Sequence, residues 1–160
     1  MLFRSSVGQG QRPDAAVDPV SAALTAEGKT LLSAGKYSEA TDALESALVA
    51  DPKNRTAFLA LAQSAQREGL SGKAIRYYRE ALLIEPNDVR ALAGQGEAMA
   101  EKGAIERARE NLARVEKLCV ASCPEQAKLA LAIEKAGTQP VMSAAAVTPK
   151  PTVSETQSKP

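Results

Sequence analysis

Apolar residues recur along this chain at helical spacing, and the same short sentence is written three times. In the first copy Leu24, Leu31 and Leu32 share one face until Gly35 stops the run. A second run then starts near Tyr37 and places Ala40, Leu44, Ala47 and Leu48 on one face, ending at Asp51-Pro52. Spacings of three and four mark amphipathic helices. Glycine just past a helix end adopts the left-handed conformation without steric cost, and proline disfavours helix at the residue before it. The second copy runs Phe58, Leu61 and Ala65 to Gly69, then Ala74, Tyr78, Ala81 and Leu82 to Glu85-Pro86. The third carries Leu92, Met99, Gly103, Ala108, Leu112 and Val115. Asp18-Pro19 reads as the entry to the first helix, with Asp as N-cap and Pro at the first helical position.

Gly35, Gly69 and Gly103 stand 34 residues apart, and so do Ala40, Ala74 and Ala108. That period predicts helix–turn–helix units over 21–54, 55–88 and 89–122. Leu129, Ala130 and Ile133 define one further amphipathic helix over 123–136, opened by a Ser122–Glu125 capping box or by Cys123 ahead of Pro124 and ended by Gly137. Such a helix covers the last hydrophobic layer of a stack, so the folded domain is expected over 20–137. Residues 1–19 carry no periodic apolar face and are expected to be a disordered leader. Residues 138–160, rich in Pro, Ser and Thr, are expected to be a disordered tail, with a short recognition motif around Val147–Pro151 as the alternative.

The pattern resembles the tetratricopeptide repeat family. In the second copy Phe58, Leu61, Ala62, Ala65, Ala74, Tyr78, Ala81 and Pro86 occupy all eight signature positions. The first copy departs at Glu27, where leucine is usual, and the third at Gln95, Val115 and Val120. The resemblance implies an all-α fold: a right-handed α-solenoid of three helix–turn–helix hairpins plus a capping helix. The alanines then stand where paired helices cross and little more than a methyl fits, while Leu24, Phe58, Leu92, Leu44, Tyr78 and Leu112 fill the space between layers.

Composition excludes more than it assigns. The 160 residues include no histidine, which removes the commonest general base and metal ligand. Net charge is +1, with no strong footprint for nucleic acid, and no apolar run approaches a membrane span. Lys73, Arg76 and Arg79 share one helix with Tyr77 and Tyr78, but Tyr78 is a core position and the basic side chains read as a solvated face. Gly94 and Gly96 fall within a helical pattern, without the strand a dinucleotide fingerprint needs. Neither enzyme chemistry nor a cofactor is expected. Cys119 and Cys123, four residues apart, leave three readings open: a disulfide, two packed thiols, or metal shared between chains. As written the chain lacks a signal peptide and is expected in the cytoplasm; upstream sequence lost from the start would instead suit a bacterial periplasmic protein or lipoprotein.

The resemblance further implies that the first helix of each pair lines a concave groove for a protein or peptide partner. By register that face presents Thr25, Lys29 and Leu32, then Thr56, Leu59, Gln63, Gln66 and Arg67, then Arg90, Glu97 and Glu101, among the small residues Ala22, Ala26, Ala60, Ala93, Gly94 and Ala100. The positions matching the clamp that grips chaperone C-termini are Thr25, Lys29, Ala60, Arg90 and Gly94. Of these only Arg90, and loosely Lys29, could serve, so that mode is not expected. The expected function is a non-enzymatic interaction scaffold, monomeric or weakly self-associating. Its alternatives are a self-associating assembly factor and the regulatory subunit of an enzyme.

Overall fold

The computed structural model describes residues 16–121 and 123–138. Seven helices run in order among them: α1 Pro19–Ser33, α2 Tyr37–Ala50, α3 Arg55–Arg67, α4 Ser71–Ile84, α5 Val89–Glu101, α6 Ile105–Leu118 and α7 Pro124–Gly137. They form an all-α solenoid in which α1/α2, α3/α4 and α5/α6 are antiparallel pairs and α7 packs on α5 and α6. The expected leader and tail, apart from residues 16–19 and 138, lie outside the described residues, as does Ser122 of the suggested capping box.

Each turn follows from local chemistry. The Asp18 carboxylate accepts the N–H groups of Val20 (2.8 Å) and Ser21 (3.2 Å), capping α1 at Pro19. Asn54 and Asp88 cap α3 and α5 in the same way. The second helices have no side-chain cap; each begins two residues after a glycine at φ +76°, +74° or +77°. Around these glycines the chain reverses through paired backbone bonds, such as Lys36 N–H to Leu31 O (3.0 Å) and Gly35 N–H to Leu32 O (3.1 Å). That pair satisfies carbonyls a helix end would otherwise leave open.

The core forms three clusters along the stack, bridged by the partly buried Tyr77 and Leu82. Ala40, Ala74 and Ala108 are fully buried at the crossings, and Leu44, Leu61, Leu92 and Leu129 are the largest side chains sealed between them. The departures from the signature are accommodated. Glu27 stays in solvent. Gln95 is buried, but its Nε2 donates to Ile75 O (3.3 Å) and its Oε1 accepts from Asn111 Nδ2, which also donates to Leu92 O. Val115 is enclosed, and Val120 stands fully exposed in the last turn. There the sulfurs of Cys119 and Cys123 are bonded, with Cα atoms 6.0 Å apart. Cys123 occupies the N-cap of α7 without a side-chain hydrogen bond.

Candidate functional site

Helices α1, α3, α5 and α7 follow one another along one side of the solenoid, and their side chains enclose two hollows. The larger, about 460 Å³, is lined by Leu32, Gln63, Gln66, Arg67, Tyr78, Arg90, Ala93, Gly94, Glu97, Glu101, Glu125 and Lys128. The smaller, about 230 Å³, is lined by Val17, Ala22, Thr25, Ala26, Lys29, Asn54 and Thr56. The row Lys29–Gln63–Glu97 is thus divided between two hollows, with Gln63 and Glu97 sharing the larger.

Of the residues expected on the groove face, Thr25 and Leu59 are largely buried, as are the small residues Ala60, Ala93 and Ala100, though Thr25 still edges the smaller hollow. Thr25 is 4% exposed: its hydroxyl donates to Ser21 O (2.7 Å) and accepts from Asn54 Nδ2 (2.9 Å), both bonds inside the first inter-repeat junction. Leu59 is 5% exposed and packs in the central core beside Ala62 and Tyr78. On a helix the buried stripe of a solenoid is wider than that of a surface helix, because layers press on it from both sides. Leu59 falls inside that wider stripe.

Three residues of the larger hollow do not follow from reading the first helices alone. Tyr78 comes from the second helix of its pair. Its ring crosses the core, and its hydroxyl emerges to donate to Gln66 Oε1 at 2.7 Å. Glu125 and Lys128 come from α7, so the capping helix supplies a wall as well as a lid. Their register was legible, since Lys128 lies one 34-residue period beyond Gly94.

Charges of both signs meet here: Arg67, Arg90 and Lys128 against Glu97, Glu101 and Glu125. Burial raises the Glu97 carboxyl above the usual range; Lys128 opposes that shift, and Glu101 and Glu125 add to it. Burial, followed by the Glu97 and Glu101 carboxylates, likewise pushes the Tyr78 phenol well above the usual tyrosine range, so it acts as a permanent donor. Ser71 Oγ holds the Glu101 carboxylate from α4 at 2.6 Å. Outside the hollow, Lys73 sits over the Tyr77 ring (5.7 Å), whose hydroxyl donates to Glu45. Among the described residues no group of three His, Cys, Asp or Glu side chains is placed to hold a metal.

The family model described as tetratricopeptide repeat matches residues 25–82 and 59–119. No curated protein matches the chain by sequence. Among solved structures, the first TPR of Spaghetti (RPAP3) bound to the HSP90 peptide SRMEEVD is 22% identical, with a TM-score of 0.68 over 76% of this chain and 98% of that one. The Sgt2 TPR domain from Aspergillus fumigatus is also 22% identical, with a TM-score of 0.69 over 92% and 97%. The Yersinia enterocolitica type III secretion chaperone SycD, in complex with a peptide of the translocator YopD, is 23% identical, with a TM-score of 0.62 over 72% and 87%. At these identities the likeness establishes the fold.

Proposed function

The chain belongs to the tetratricopeptide repeat family, and on that footing we propose that it is a non-enzymatic interaction scaffold holding a partner peptide in the hollow between α3, α5 and α7. One observation carries this reading. Six charged side chains of both signs converge on one hollow with the Tyr78 hydroxyl, whose ring covers Gly94. Mixed charge around the hollow suits recognition of one segment over others, since a wrong partner meets like charge. Peptides held by Spaghetti and SycD, as their structures are described, support the same mode. A carboxylate clamp of the chaperone-tail type is not part of the proposal. Thr25 is committed to the fold and Lys29 lines the other hollow.

The test is site-specific photocrosslinking with the full chain. A crosslinker at Gln63 should capture the same partner as one at Glu101, and a crosslinker at Leu83, exposed on α4, should not. Arg90→Glu should abolish capture from Gln63, while Arg109→Glu, on exposed α6 surface, should leave it unchanged. Equal capture from Leu83, or indifference to Arg90→Glu, would overturn the groove reading.

A further inference from the structure

The last inter-repeat turn is closed by different chemistry from the first two. In the first, Asp51 Oδ1 accepts the Lys53 N–H (3.0 Å), the Asn54 N–H donates to Asp51 O (3.1 Å), and Asn54 caps α3. In the second, Glu85 Oε1 accepts the Asn87 N–H (3.0 Å), the Asp88 N–H donates to Glu85 O (3.1 Å), and Asp88 caps α5. The position one period on from Asp51 and Glu85 is Cys119, and Val120 stands where Pro52 and Pro86 stiffen the earlier turns. A thiol sulfur is a weak acceptor and cannot repeat the carboxylate's role. Among the described residues no side-chain hydrogen bond closes this turn. The disulfide to Cys123, the N-cap of α7, closes it instead.

What hangs on that closure is one helix. Among the described elements α7 touches only α5 and α6, burying Leu129 and Ile133 there. In a solenoid each layer is held by its neighbours alone, so a terminal helix opens without the rest. The turn is open to solvent, with Val120 fully exposed and both cysteines only half-buried. We propose that the Cys119–Cys123 disulfide is a redox-sensitive clasp on α7, setting whether the Glu125–Lys128 wall of the larger hollow is held in place. A dithiol reductant opens it: one reductant thiolate attacks a cysteine sulfur and the Cys119–Cys123 bond breaks. The reductant's second thiol then displaces the mixed disulfide so formed and closes the reductant's own disulfide; the two cysteines have gained two electrons and two protons and stand as free thiols. Helix α7 then keeps its Leu129 and Ile133 contacts but loses the tether at its first turn.

Hydrogen exchange on the full chain, read by mass spectrometry with and without a dithiol reductant, tests this without any partner. Intact mass should first show the oxidised chain lighter by two hydrogens. On reduction, amide protection over residues 126–130 should fall by roughly 10- to 30-fold while α3 is unchanged. The Cys119→Ser/Cys123→Ser variant should match the reduced chain and ignore the reductant. Four results would each overturn the proposal: no oxidised mass, unchanged α7 protection, an equal loss across all helices, or a double variant that behaves like the oxidised chain.

Discussion

The phenol of Tyr78 occupies the space that a side chain at Gly94 would fill. A Cβ placed on Gly94 meets Tyr78 Cζ at 2.3 Å and its hydroxyl oxygen at 2.4 Å. The missing side chain on α5 is what lets an α4 residue reach the groove floor and donate to Gln66.

Gly94→Ala should therefore destabilise the chain by about 1–3 kcal/mol, the usual cost of overpacking, partly offset by better helix propensity. Urea unfolding measures it. In a Tyr78→Phe background the cost should persist, because the ring carbon itself is in the way. In a Tyr78→Leu background it should fall to a small fraction. A cost independent of residue 78 would mean that the ring is not the obstacle.

Asn54 is almost fully buried and joins the first two repeats: its Nδ2 donates to Ser21 Oγ (2.8 Å) and Thr25 Oγ1 (2.9 Å), and its Oδ1 caps Ala57. Asn54→Ala removes all three bonds at once and should cost about 2–3 kcal/mol in urea unfolding. Asn54→Asp keeps the cap acceptor and should fall between the two. No loss of stability for Asp would show that the donor side carries no weight, and a loss no larger for Ala than for Asp would show the same of the cap acceptor.

Ala74 marks the crossing of α3 and α4 and has no exposed surface. Ala74→Leu should cost about 1–3 kcal/mol, whereas the same change at Ala130, exposed on α7, should be near neutral. Thermal unfolding of the two variants side by side is the measurement, and equal midpoints would contradict the crossing geometry.

Burial makes the folded chain hold the Glu97 proton more tightly than the unfolded chain does. Between the ordinary glutamate range and the raised value, the folded state binds more protons, so stability declines as pH rises through that window. Lys128 moderates the effect; Glu101 and Glu125 enlarge it. Glu97→Gln should raise the unfolding temperature at neutral pH, and the gap should close as pH falls to the ordinary glutamate range. A gap constant with pH would point to packing instead of charge.

Much of the fold was legible because its signals are local. Gly35, Gly69 and Gly103, with Asp51-Pro52 and Glu85-Pro86, mark helix ends that the structure places within a residue or two. Less of the candidate site was legible. Gln63, Gln66, Arg67, Arg90, Glu97 and Glu101 do share one hollow, as does Leu32. Leu59 lies in the core instead, and Thr25, Lys29 and Thr56 line a separate hollow. A 34-residue register assigns a helix face, but the burial of each side chain on it depends on how far the neighbouring layer reaches across.

The sequence by itself determined the helices, their turns and their repetition, because each is specified by residues within a few positions of one another. Backbone sterics at glycine and proline act at that range, and so does helical periodicity. Only the tertiary structure decided that the Tyr78 phenol passes over Gly94, that α7 contributes Glu125 and Lys128, and that one row of polar residues is split into two hollows. Those outcomes depend on stacking between elements far apart in sequence, where side-chain length and layer spacing settle which group reaches the groove.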